Sequence, residues 1–199
     1  ITDIDANLTP PGYFRDSGGN EAFVLKYDET NGDRSFRIYP LPSMAINIQN
    51  GNIYVVVNHR EEKIFSPGFT YTDYSDLVLY RSINNGTSWT KQRILDWEDE
   101  NGDHYLNDGD QYFPSITCSE DGNIYCLFYN SLSDQYLNNL YTKMSIAYSS
   151  DNADSFGILD VDDNEFDPSI GLTDNFAGDY IQIKNDSEKL SFAYTKPHQ

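Results

Sequence analysis

"LPSMAINIQNGNIYVVVNHR", Leu41 to Arg60, and "YFPSITCSEDGNIYCLFYNS", Tyr112 to Ser131, are two copies of one pattern. A third, weaker copy is "DYIQIKNDSEKLSFAYTKP", Asp179 to Pro197. Each copy has an apolar strand, a polar turn around Gly or Asn-Asp, and a second strand with consecutive apolar residues such as "IYVVV" or "IYCLFY". Alternation marks a strand with one wet face, whereas an unbroken apolar run marks a strand buried on both faces. A second hairpin follows each of the first two copies: "DLVLYRSINNGTSWTKQRIL", then "KMSIAYSSDNADSFGILDV" from Lys143 to Val161. Two hairpins make four antiparallel strands, and the unit recurs after roughly 70 residues. Units that cannot bury their faces alone stack into arrays.

The pattern predicts an all-β chain and, within that class, a β-propeller portion of three to four four-stranded blades, since a blade is covered on both faces by its neighbours. A two-sheet β-sandwich is the rival, although it does not require internal repetition. The expected divisions are a partial blade over 13–41, a blade over 42–96, a blade over 111–162, and final strands over 166–197. Aromatic residues make up 15% of the 199-residue chain, which suits strands.

Within the second hairpin, "SINNGTSWT" (Ser82 to Thr90) asks for more than a turn. Asn85-Gly86 supplies the hairpin reversal. That leaves Ser82, Asn84, Ser88 and Trp89 unexplained. "SSDNADSF" repeats the arrangement in worn form, with Ser149, Asp151, Ala153, Ser155 and Phe156 at the matching places. The pattern Ser-x-Asp-x-Gly-x-Ser/Thr-Trp resembles the Asp-box of the sialidase-like, bacterial neuraminidase repeat propellers. "YFPSITCSEDGNIYCLFYN" and "FAGDYIQI" are similar to blade-opening segments of the same family, so the resemblance covers Leu41 to Lys196. It implies that the box is structural. Asn84 or Asp151 would accept bonds from turn amides, Gly86 would take positive φ, and Trp89 would fold back as an apolar plug.

The resemblance also implies that 199 residues fall short of a ring, because such propellers have six or more blades of about 45 residues or more. The chain, which begins with Ile, is therefore expected to be a piece of a longer or trimmed protein. Its two terminal blade faces would be apolar and would call for self-association or a missing propeller segment.

Family sialidases use an Arg triad, a Tyr nucleophile activated by a Glu, and an Asp acid/base, the tyrosine variant of glycoside hydrolysis. The six arginines here are Arg15, Arg34, Arg37, Arg60, Arg81 and Arg93. Only Arg60, at the end of an inner hairpin strand, suits the axial face, so no triad carries over. Catalytic residues are accordingly left unassigned. The residues entering or leaving inner strands are His59, Arg60, Asp110, Tyr112, Asn130, Asp179 and Tyr180, and these are the glycan-binding candidates. Asp179 and Tyr180 would pair a carboxylate with an aromatic ring, and both also suit strand packing and capping.

Two acidic loops, "DWEDENGDHYLNDGD" and "DVDDNEFD", place Asp99, Asn101, Asp103, Asp160, Asp162 and Asn164 at alternating positions, as calcium loops do. Solvated surface is the alternative for both. The histidines His59, His104 and His198 have no zinc spacing. Thirteen basic against 32 acidic residues give a net charge of −19, which opposes nucleic acid and anionic lipid surfaces. No apolar stretch approaches the roughly 18 residues of a membrane span. Cys118 and Cys126 flank a turn in which Cys118 is expected to face Asn123, placing Cys126 on the opposite face, a poor geometry for a disulfide.

Three functions follow. The first is a secreted or cell-surface propeller that recognises a glycan or cell-surface polymer. The second is an exo-acting glycoside hydrolase of sialidase type whose catalytic residues lie partly elsewhere. The third is a structural surface-array or filament subunit.

Overall fold

A computed structural model of the chain describes residues 13–15, 21–27, 34–37, 41–66, 69–95, 110–131, 141–162, 164–168, 180–186 and 189–196, with side chains described outside 13–37 and 60–74. All regular structure there is β. A three-stranded sheet comes first: β1 (Tyr13–Arg15), β2 (Glu21–Tyr27) and β3 (Arg34–Arg37). A four-stranded sheet follows, β4 (Ser43–Ile46), β5 (Ile53–Ser66), β6 (Phe69–Ser82) and β7 (Thr90–Arg93). The next four-stranded sheet is β8 (Gln111–Cys118), β9 (Ile124–Asn130), β10 (Lys143–Ser149) and β11 (Gly157–Asp160). A two-stranded sheet closes the order, β12 (Gln182–Asp186) with β13 (Lys189–Ala193). Every pairing is antiparallel between neighbours in sequence, so each sheet is a meander.

The central sheet decides between propeller and sandwich. Ile124, Cys126, Phe128 and Ala147 on one face of β8–β11 pack with Tyr54, Val56, Leu77 and Leu79 of β4–β7. Leu127, Tyr129, Met144 and Ile146 on its other face pack with Ile183 of β12 and Phe166. Alternate residues of β9 thus enter two different cores, which explains the unbroken apolar run. A sandwich sheet keeps one face for solvent. A sheet buried on both sides between its sequence neighbours is a propeller blade.

Cross-strand pairs set the orientation. Ser43 lies opposite Val56, while Ile46, Ile53 and Ser82 are in line. The β4–β5 turn and the β6–β7 loop therefore share one end of the sheet, and the start of β4 lies at the other. Gly51 (φ 75°) and Gly122 (φ 85°) make the matching turns of the two sheets. At Gly122 the close approach is also required, because an added Cβ would lie 2.9 Å from Nδ2 of Asn47 on the preceding sheet.

Two expectations need correcting. Ser119, not Cys118, closes the turn on Asn123, its amide donating to that carbonyl at 2.8 Å. Cys118 then faces Ile124 and Cys126 faces Ile116, so both cysteines lie on one face as diagonal neighbours. Both are free thiols, and burial pushes Cys118 up to about 11. The second correction concerns the terminal faces. Lys184, Asp186, Ser191 and Ala193 are exposed on the outward face of β12–β13, together with Gln182. Only the face of β4–β7 turned away from β8–β11 is apolar.

Candidate functional site

At the ends of the sheets where β4 and β8 begin, three stretches converge: Leu41-Pro42-Ser43, Phe113-Pro114-Ser115, and Tyr180-Ile181 leading into β12. They line a pocket of about 170 Å³. That is the liquid volume of five or six waters at about 30 Å³ each, below the ~300–1,000 Å³ of drug-sized sites. It has room for one small ring.

The walls are set by a bulge. Proline has no N–H to give a ladder, and the β8–β9 register slips between Tyr112 and Ser115 as the chain passes Phe113-Pro114. Phe113 is driven to φ 50°, a conformation that bulky L-residues avoid at about 1–3 kcal/mol. Packing holds it there. Its ring is buried edge-on to Tyr112 at 5.6 Å and to Tyr129 at 6.2 Å. Burial also pushes the Tyr129 hydroxyl up to about 12.

The floor is a repeated contact. The Ile116 amide donates to Ser43 Oγ at 3.1 Å, and the Ile183 amide donates to Ser115 Oγ, also at 3.1 Å. A hydroxyl on each first strand thus receives the amide one place further along on the next first strand. Each serine has accepted one bond and keeps its own O–H to donate. Opposite them stands Tyr180, 83% exposed at the rim.

The other glycan candidates lie elsewhere. His59 is buried in β5 opposite Asp76, which Arg93 Nη2 meets at 3.1 Å. Asp110 Oδ1 accepts from the Ser75 amide at 2.8 Å, tying the two four-stranded sheets together. Tyr112 is stacked on Tyr129 at 5.2 Å, and its hydroxyl lies 3.0 Å from Thr142 Oγ1. Asn130 donates through Nδ2 to Ser145 Oγ at 3.3 Å within its own sheet. The Arg60 side chain and Asp179 lie outside the described residues. Sequence reasoning missed Leu41, Pro42, Ser43, Phe113, Pro114, Ser115 and Ile181. The signal was the Pro-Ser pair that opens both first strands.

The two polar hairpins are at the far end of the sheets. Ser82 Oγ accepts from the Gly86 amide at 2.8 Å and donates to Asn84 Oδ1 at 3.1 Å, while the Ser88 amide donates to Asn84 Oδ1 at 2.9 Å. The second loop repeats this bond for bond. The Ala153 amide meets Ser149 Oγ at 3.0 Å, Ser149 Oγ meets Asp151 Oδ1 at 2.6 Å, and the Ser155 amide meets Asp151 Oδ1 at 3.1 Å. Asn85-Gly86 and Asn152-Ala153 take positive φ, with Ala153 at 70° in the glycine's place. Bonds from Ser149 and then Ser155 hold the Asp151 carboxyl below its usual range. Trp89 is half-buried on Val57, Val78 and Tyr80, its ring 3.8 Å from where a Gly86 Cβ would sit, and Phe156 packs into the core between the four-stranded sheets. Arg81 reaches from the first hairpin to Asp154 Oδ1 and the Asn152 carbonyl of the second, both at 2.6 Å.

The second acidic loop is held by lysines. Lys196 Nζ donates to Asp162 Oδ2 at 2.7 Å, the Asn164 amide donates to Asp162 Oδ1 at 2.9 Å, and Lys143 Nζ lies 3.5 Å from Asp160 Oδ2. The Lys196 contact, then the Asn164 bond, keeps the Asp162 carboxyl below its usual range. Positive charge that a cation would bring is already supplied. Among the described residues no cluster of three metal-ligating side chains forms, and Asp99, Asn101 and Asp103 lie outside them. Among the described residues, too, no helix is long and apolar enough to cross a membrane.

No protein-family profile matches the chain, and no curated protein matches it. Solved structures with a similar strand arrangement include a glycosyl hydrolase from Bacteroides ovatus, at 15% identity and TM-score 0.37, covering 79% of this chain and 40% of that one. A candidate glycoside hydrolase from Parabacteroides distasonis shares 14% identity at TM-score 0.40, over 96% of this chain and 51% of that one. A mutant Trypanosoma rangeli sialidase displaying trans-sialidase activity shares 11% identity at TM-score 0.36, over 89% of this chain and 26% of that one. The chain thus spans about half or less of these structures' lengths.

Proposed function

We propose that this chain is a recognition portion of a propeller, and that its pocket holds one sugar ring of a glycan in a secreted or cell-surface setting. The observation that carries the reading is the composition of the pocket at the meeting of three first strands. Tyr180 offers an exposed aromatic face, Pro42, Pro114 and Phe113 give apolar walls, and Ser43 and Ser115 keep hydroxyl donors. Few polar groups on a mostly apolar concave surface is the usual make-up of a small-molecule site. A pyranose has one apolar face and a rim of hydroxyls, which matches that distribution.

Recognition is favoured over hydrolysis on this chain by the same lining. Among the described lining residues, Tyr180 is the one ionisable side chain. Glycoside cleavage calls for a paired acid and nucleophile or base.

Titration of a monosaccharide panel by saturation-transfer NMR tests the proposal. At least one sugar should bind saturably, and Tyr180→Ala should weaken it about fivefold, the equivalent of losing about 1 kcal/mol of ring contact. Because Tyr180 is exposed, the melting temperature should stay unchanged. Absence of saturable binding across the panel would overturn the reading. Release of the fluorophore from a fluorogenic sialoside by this chain would replace it with hydrolysis.

A further inference from the structure

We infer that the apolar face of β4–β7 is a docking site for an extended segment, a strand that opens with Pro-Ser followed by alternating apolar residues and lies along β4. Three observations carry this. First, the face is covered unevenly. Val57, Val78 and Tyr80, in β5 and β6, are buried, whereas Met44 and Ile46 of β4 are 62% and 50% exposed, with Ile48 just beyond at 75%. Met44 pairs with Val55, which pairs with Tyr80, so exposed and buried residues belong to one face. What is open is a strip one strand wide.

Second, the two described junctions between first strands use one rule. Ser43 Oγ receives the Ile116 amide and Ser115 Oγ receives the Ile183 amide. Met44 stands one place after Ser43, as Ile116 stands one place after Ser115, and it faces Val55 as Ile116 faces Cys126. Among the described residues no hydroxyl accepts from the Met44 amide. The same rule therefore calls for a serine or threonine on a strand beside β4, one place before the position level with Met44.

Third, the sheet that precedes β4 in the chain has three strands among the described residues where the next two have four. A strand laid along β4 would bring that sheet to four by pairing with the free edge of β1, an edge-addition mode in which main-chain bonds give affinity and alternate side chains give register. A second copy of this chain fits less well. The face it could offer head-to-tail is the outer side of β12–β13, where Gln182, Lys184, Asp186 and Ser191 are polar or charged and exposed.

The probe is a labelled peptide with the sequence of residues 41–48, LPSMAINI, carrying a solubilising lysine tail, titrated against the 199-residue chain by fluorescence anisotropy. Saturable binding is expected. Replacing the peptide's serine by alanine should weaken it about three- to tenfold, the loss of one hydrogen bond. On the protein, the pair Met44→Lys and Ile46→Lys should weaken it more than about tenfold. Both side chains are at least half exposed, so the variant should keep the wild-type melting curve, which is to be recorded alongside. Equal binding of a scrambled peptide, no saturation, or indifference to the lysine pair overturns the proposal. A dimer in sedimentation that the peptide does not dissociate also overturns it, by placing a second copy on the face.

Discussion

Asn58 should be worth more to the fold as leucine. It is 1% exposed, and neither its side-chain oxygen nor its nitrogen has a hydrogen-bond partner among the described residues. In β5 it faces Leu77 of β6, on the side turned toward β8–β11. The Gly-Asn pairs at 51–52 and 122–123 align the two units, which puts Tyr129 at the matching place in β9. There the polar group is satisfied: the Tyr129 hydroxyl donates to the Thr195 carbonyl at 2.6 Å and accepts from the Thr195 amide at 3.0 Å. An orphaned buried amide costs about 1–3 kcal/mol in lost hydration, and leucine of similar volume adds apolar burial instead. Asn58→Leu should therefore raise stability by about 1–3 kcal/mol, or the melting temperature by about 2–4 °C per kcal/mol for a domain of this size. Tyr129→Phe should do the reverse, costing about 1 kcal/mol. Urea unfolding at constant m-value is the assay. If Asn58→Leu instead loses 1 kcal/mol or more, the amide is bonded by a buried water and the reasoning fails.

Two other outcomes are expected. Trp89→Ala should cost about 2 kcal/mol in chemical denaturation, roughly half of the ~3–5 kcal/mol for a fully buried ring, because Trp89 is only half-buried; a loss below about 0.5 kcal/mol would mean that it does not plug its hairpin. Asp151→Asn should copy Asn84 and remove a pH dependence. The Asp151 carboxyl titrates below its unfolded value of 3.8, so its contribution is complete above that pH and fades as pH falls toward the folded value. The stability gap between wild type and variant should shrink in acid melts below about pH 3.8, and a gap constant from pH 5 to 2.5 would refute the assignment.

What could be read from the sequence was local or periodic. The repeat at Leu41 and Tyr112 gave away the meanders, because burial on both faces leaves a continuous apolar run in "IYVVV" and "IYCLFY". Ser82, Asn84 and Ser88 announced their loop because each bond spans two to four residues. The pocket was less legible. Proximity to a strand end does not say which way a side chain leaves, so His59, Asp110, Tyr112 and Asn130 entered packed interfaces while Tyr180 reached the rim. The bulge at Phe113-Pro114 changes parity in mid-strand, a shift that alternation alone does not reveal. The lysines that occupy Asp160 and Asp162 come from positions 143 and 196, too far along the chain for any loop motif to include.

The serine-to-amide contacts also separate geometry from chain continuity. The placement of β8 beside β4, and of β12 beside β8, is set across the seam by Ser43 and Ser115, by Arg81, and by the apolar cores. The covalent connections through 94–110 and 161–181 merely have to span the gap. Evolution is then free to lengthen, shorten or sever those connectors, and to insert whole modules there, while the turn at 119–123 has no such latitude because Gly122 lies against Asn47 of the neighbouring sheet.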